Sequence, residues 1–120
     1  MWDFPETPSV LRAIREIYED GKIVSAVCHG AAAFVNATLS DGSYLVAGKK
    51  VAAFTNDEEE EVQSTEIVPF LLADALESRG ALHQQAPNWN NNTAIDGRLI
   101  TGQNPQSASS VGKALLAALN

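Results

Sequence analysis

The segment IVSAVCHGAAAF, residues Ile23 to Phe34, decides the fold. Its first five residues are apolar apart from Ser25, the composition of a short strand buried on both faces within a parallel sheet. The run stops at Cys28-His29-Gly30, and three helix-forming alanines, Ala31 to Ala33, follow at once. A strand that turns directly into a helix, with a cysteine at the corner and a glycine two places on, has the geometry of a nucleophile elbow. At such a corner the free N–H groups and dipole of the helix start would stabilise a thiolate and lower its pKa. A lone cysteine among apolar residues is by default a small buried hydrophobe, and the local pattern alone leaves both readings open. The hydrophobe reading, however, does not need the conjunction of strand, Cys-His-Gly corner and alanine-rich helix.

With 120 residues, 45% of them apolar, and a mean hydropathy of -0.09, the chain has the size and composition of one globular domain, 1–120. A net charge of -7 and a pI of about 4.6 give no basic footprint for nucleic acid or for an anionic membrane surface. One cysteine excludes an internal disulfide, and His29 and His83 are too far apart to build a metal-ligand cluster of familiar spacing. A reducing, cytoplasmic compartment is the expectation. No apolar run approaches the ~20 residues of a membrane span, and the acidic start lacks the basic and apolar regions of a signal peptide.

Upstream of the central segment, Val10, Leu11, Ile14, Ile17 and Tyr18 recur at helical spacing between a candidate N-cap, Ser9, and a stop at Asp20-Gly21. This predicts an amphipathic helix laid on the sheet. Before it, MWDFPETP is irregular, and Trp2 and Phe4 need cover. Downstream, the helix begun at Gly30 runs into Ala37, and Tyr44-Leu45-Val46 with Val51 to Phe54 predicts a hairpin or a pair of short strands. Thr55-Asn56-Asp57 followed by Glu58 to Glu61 predicts a helix start whose glutamates form a solvated face. Ile67 to Leu76 predicts an apolar core helix with Pro69 in its first turn and Gly80 past its end. Ala81 to Gln85 is a candidate strand in which His83 reads as a packing or surface residue, and PNWNNN is turn material around Trp89. Thr93 to Thr101 reads as a tight hairpin about Asp96-Gly97, and Gln106 or Ser107 opens a last helix through Leu119. Strands alternating with helices in this way define an α/β fold.

Four motifs, AVCHGAAAF, AAFTNDEEE, EIVPFLLADALESRGA and DGRLITGQNPQSA, occur in that order along essentially the whole chain. Together they resemble the PfpI-type superfamily, related to class I glutamine amidotransferases, and more narrowly its branch of glutathione-independent glyoxalases and heat-inducible chaperones. The resemblance implies the C-terminal part of a flavodoxin-like, three-layer α/β/α sandwich with a nucleophile elbow. It implies Cys28 as nucleophile, His29 as its acid/base or orienting neighbour, and the His29 backbone N–H as an oxyanion donor. The implied substrate is a small reactive aldehyde, methylglyoxal, converted to D-lactate through a Cys28 hemithioacetal, with no metal and no organic cofactor. The loop Thr101-Gly102-Gln103-Asn104-Pro105 is expected near the pocket mouth, although turn-making accounts for it equally well.

Domains of that family are nearly twice this long, and the resemblance makes the N-terminal half the part not represented. That half would supply the first strands of the sheet, a glutamate bonded to the nucleophile, and a glycine-rich segment with a further oxyanion N–H. Glu6, Asp57 and the run Glu58 to Glu61 are the acids available in its place, none with a spacing argument behind it. Ala31 stands where proline is common, and Ala53 where glycine often precedes Phe-Thr-Asn. An elbow strand without those neighbours exposes an edge beside apolar surface, so a homodimer, strand borrowing or aggregation is expected. The functions left open are a cysteine-dependent glyoxalase III (D-lactate dehydratase), impaired or not by the shorter domain, and a non-catalytic holdase or a protein deglycase of the same superfamily. An amidotransferase or peptidase triad fits less well, since only His83 follows at a distance.

Overall fold

The computed structural model describes all 120 residues. The apolar run forms strand β1 (Val24–Val27), which pairs in parallel with a strand from the far end of the chain, numbered below as β5 (Leu99–Gly102). That strand pairs antiparallel with β4 (Thr93–Asp96), so the sheet order is β1-β5-β4. The β4–β5 connection is the tight hairpin expected at Asp96-Gly97: Asp96 faces Leu99 across the ladder and Gly97 takes a φ of +58°. Glycine adopts that left-handed conformation without strain from a Cβ. A second parallel pair, β2 (Lys50–Val51) with β3 (Leu82–His83), is tied to the first sheet by two hydrogen bonds. The Lys50 N–H donates to the Asp96 carboxylate (2.8 Å) and the Ala52 N–H to Thr101 Oγ1 (2.9 Å).

Four helices complete an α/β architecture: α1 (Pro8–Glu19), α2 (Asn56–Glu61), α3 (Leu72–Ser78) and α4 (Ala108–Leu119). Pro8 fits the first position of α1, where its missing N–H has no partner to lose, and Gly21 follows the Asp20 cap with a φ of +80°. The core joins Tyr18 of α1, Val24 of β1, Phe34, Leu45, Val51, Phe54, Leu72 and Leu76 of α3, and Leu99 of β5.

Several elements depart from the sequence expectation. β1 is not buried on both faces; Val24 is buried, but Ser25, Ala26 and Val27 are half-buried because β1 ends the sheet. Cys28–Phe34 winds as a 3₁₀ helix, not as an α-helix running from Gly30 to Ala37, since alanine content favours helix without choosing the winding. No hairpin forms over 44–54: Tyr44 makes only an isolated bridge to Thr38, and β2 pairs with distant β3. The apolar helix begins only at Leu72, because Pro69 disfavours helical geometry at Val68 and Leu71 is extended. Ile67 is left 67% exposed.

Candidate active site

β1 ends at Val27, and Cys28 opens the 3₁₀ helix with a φ of +62°. A residue with a Cβ avoids that conformation at a cost of order 1 kcal/mol or more, and such strain is concentrated at functional corners. The strand-to-helix turn with a strained cysteine at its apex is therefore the elbow geometry anticipated from the sequence.

The next residue turns its imidazole back on the sulfur: His29 Nδ1 lies 3.7 Å from Cys28 Sγ. On its other side, His29 Nε2 sits 3.0 and 2.9 Å from the two carboxylate oxygens of Glu59. The Glu59 side chain is only 1% exposed, against 34% for His29, and Ser64 Oγ donates to Glu59 Oε1 at 2.7 Å. A carboxylate accepting from Nε2–H leaves Nδ1 free to take a proton from the thiol. Thiol, imidazole and acid thus stand in line, the arrangement that nucleophile, base and orienting acid require.

Sequence reasoning named Cys28 and His29, and offered Glu59 only as one of the run Glu58 to Glu61, with nothing to single it out. Four consecutive glutamates read as a solvated face, whereas Glu58 and Glu59 are completely buried and only Glu60 and Glu61 are exposed. The available signal was Thr55-x-x-Glu58, a capping box whose members bond one another's backbone, which turns the first turn of α2 inward. Glu6 and Asp57 are not among the groups on His29; Asp57 instead accepts from Gln85 Nε2.

The charge environment corrects a second expectation. Burial pushes the Cys28 thiol above its ordinary pKa; a hydrogen bond from the His29 backbone N–H opposes this, and the Glu58 and Glu59 carboxylates add to the upward push. One N–H at the start of a short 3₁₀ helix does not outweigh burial and two buried anions. These surroundings favour the protonated thiol, which a base would have to deprotonate before it could act as a nucleophile.

A row of tilted aromatic rings backs the imidazole. The His29 and Phe54 rings are 4.3 Å apart, centroid to centroid, and Phe54 and Trp89 5.7 Å. Of residues 101–105, Thr101 and Gly102 end β5, and Thr101, Gln103 and Asn104 are fully buried. Gln103 both accepts from the Ala86 N–H and donates to the Ala86 carbonyl. His83 meets the Ala53 carbonyl and Glu77, not the thiol. The largest cavity, about 590 Å³, lies between α1 and β1 among Ile14, Ile17, Ile23 and Phe34, and no cavity is lined by Cys28, His29 or Glu59. No group of three or more His, Cys, Asp or Glu side chains is placed to hold a metal ion. No helix is long and apolar enough to cross a membrane.

No family model matches the chain. It is similar to Glyoxalase 3 of Candida albicans, 35% identical over 126 residues that make up 98% of this chain and 52% of the relative. It is 37% identical to the probable glutathione-independent glyoxalase hsp3103 of Schizosaccharomyces pombe, over 99% of this chain and 49% of that one. The chain thus spans about half the length of the curated relatives it matches. Among solved structures, glyoxalase III from Candida albicans superposes with a TM-score of 0.92 at 34% identity, covering 98% of this chain and 52% of the other. The Rapid Encystment Protein 24 kDa of Francisella tularensis superposes with a TM-score of 0.97 at 37% identity, over 99% of this chain and 53% of that one.

Proposed function

We propose, for a chain that is a relative of the glutathione-independent glyoxalases along essentially its whole length, that it carries the nucleophilic centre of a glyoxalase III acting on methylglyoxal. The observation behind this reading is the line Cys28–His29–Glu59 at a strained strand-to-helix corner.

His29 Nδ1 takes the thiol proton as sulfur adds to the aldehyde carbon; a C–S bond forms, and the proton passes to the new alkoxide, giving a hemithioacetal. Nδ1 then removes the C–H proton from that carbon to form an enediolate; the hydroxyl proton on the same carbon's oxygen passes to the neighbouring oxygen, and Nδ1 returns its proton to the neighbouring carbon. The former aldehyde carbon is oxidised to a thioester while the ketone carbon is reduced to an alcohol. Water cleaves the thioester, releasing D-lactate and restoring the thiol. Through all of this Glu59 holds the Nε2–H, fixing the tautomer and stabilising the imidazolium whenever His29 carries the proton. The His29 backbone N–H, the one that follows the nucleophile at the corner, is the available donor for the developing oxyanion.

A holdase reading draws on a different observation, the apolar cavity along α1 and β1 with Phe4 and Ile17 at its rim. One experiment separates the two. Purified chain is assayed for lactate from methylglyoxal and for suppression of client aggregation, alongside Cys28→Ala and Glu59→Gln. The enzyme reading expects Cys28→Ala to abolish lactate formation and Glu59→Gln to lower kcat by roughly 10²- to 10⁴-fold, the cost of an unsupported tautomer. Lactate production that survives Cys28→Ala overturns it. Aggregation suppression unchanged in Cys28→Ala, with no lactate from the wild type, leaves the holdase.

A further inference from the structure

Glu58 is a buried acid that this chemistry does not use. Its side chain is fully enclosed, yet no lysine, arginine or histidine pairs with it. Four neutral donors surround it instead. Thr55 gives Oε1 its N–H (3.1 Å) and its hydroxyl (3.2 Å), while Oε2 receives the Trp89 N–H (2.9 Å) and the Asn104 amide (2.8 Å). Burial alone would push Glu58 up, but the hydrogen bonds from Trp89, Asn104 and Thr55 hold it below the ordinary carboxylate value. The capping box of α2 pairs the Thr55 N–H with the Glu58 carboxylate and the Glu58 N–H with Thr55 Oγ1, so the contacts from Trp89 and Asn104 need a separate explanation.

Both lead to one loop. Asn104 Nδ2 also donates to the Asn90 carbonyl at 2.9 Å, and Ser107 Oγ holds Asn104 Oδ1 at 2.9 Å. Glu58 and Asn104 therefore grip Trp89 and Asn90 on consecutive residues. Trp89 needs such a grip, since its φ of +63° is unfavourable for a side chain carrying a Cβ. Its indole lies 5.7 Å from Phe54, whose ring lies 4.3 Å from that of His29. A carboxylate suits the hub because it is acceptor-only; glutamine would turn its own N–H₂ toward at least one of the four donors.

We propose that Glu58 is a positioning residue for His29, acting through Trp89 and Phe54 to hold the imidazole between Cys28 and Glu59. The inference rests on the reading of His29 as the base of Cys28, and its test requires no turnover of methylglyoxal. The variants are Glu58→Gln, Trp89→Leu, the pair combined, and Leu76→Val as a core control at the fully buried Leu76. Two signals are read: the tautomer of His29 from its ring nitrogen resonances, and the rate of Cys28 alkylation by iodoacetamide at pH 8.

Wild type is expected to show one Nε2–H tautomer. Glu58→Gln and Trp89→Leu should each give a tautomer mixture and slow alkylation several-fold, and the double variant should be no worse than either single. Leu76→Val should lower the melting temperature and leave both signals in place. The sign of the rate change decides between mechanisms. If Glu58 acted on Cys28 through its charge alone, neutralising it would speed alkylation and leave the tautomer fixed. That outcome, or a Trp89→Leu variant with both signals at wild type, overturns the proposal; so does a Glu58→Gln variant that loses only stability. Should Glu58→Gln fail to fold, Trp89→Leu still decides, because it leaves the carboxylate in place. A wild type that alkylates normally but makes no lactate counts against the glyoxalase reading and not against this one.

Discussion

Cys28 has its sulfur pressed between two opposing influences, the His29 backbone N–H that stabilises a thiolate and the burial and buried carboxylates that resist one. Because burial is the largest of these, the thiol is displaced upward, and the sign of its pH dependence follows. Alkylation by iodoacetamide tracks the thiolate fraction, so its rate should keep climbing beyond the pH at which a free cysteine levels off. A plateau below the ordinary thiol range would show a resting thiolate and remove the need for His29 as base. At this scale the sequence exposed Cys28 and His29, because an elbow is written in consecutive residues. It offered Glu59 only within a run of four acids, because Glu59 reaches His29 across a separation of 30 positions. A glutamate's burial depends on what its helix packs against, and nothing local distinguishes Glu59 from exposed Glu60 and Glu61 beyond the Thr55–Glu58 box.

Among the elements, the tightest approach that positions the elbow is between β5 and α4. A Cβ on Gly102 would come within 2.7 Å of Val111 Cγ2, 3.0 Å of Ser107 Cβ and 3.5 Å of Val27 Cγ1. Gly102 also lies opposite Val27 in the parallel ladder, one residue before Cys28. Gly102→Ala should therefore push α4 off β5 and strain the end of β1, costing about 1–3 kcal/mol as overpacking does. Urea unfolding measures this directly, with Gly112→Ala as control, since a Cβ there meets nothing within 4 Å. Equal stability of the two variants would show that α4 is loosely seated. Legibility among elements follows sequence distance. The β4–β5 hairpin, the α1 stripe and the last helix are set by neighbouring residues and were readable. Parallel pairings such as Val24 with Leu99 and Lys50 with Leu82 join distant segments, so no local pattern could assign them. The same logic explains the absent hairpin over 44–54, where burial of Val51 in a long-range pair won over a local turn.

At the scale of the whole molecule the open feature is the outer edge of β1. In a parallel ladder alternate residues bond the same neighbour, and the Val24 N–H is the group donated to Arg98 on the β5 side. The polar groups of Ser25 therefore point away from β5, toward solvent. Beside that edge the cavity against α1 is lined by thirteen residues, none charged. An unpaired edge next to uncharged apolar surface is a template for another strand, while the net charge of -7 repels a second copy at long range. The two forces differ in their response to salt, because long-range repulsion fades once the screening length falls to ~10 Å near 0.1 M. Analytical ultracentrifugation of the purified chain should accordingly show self-association that strengthens with both protein and salt concentration. Ser25→Pro should suppress it at little cost to the monomer, since the lost N–H has no intramolecular partner and proline is tolerated on an edge strand. An unchanged association constant in Ser25→Pro would move the seam elsewhere, to the exposed Leu116 and Leu119 of α4. A wild type that stays monomeric as salt rises would mean that the edge and its apolar flank are too short to hold a partner strand.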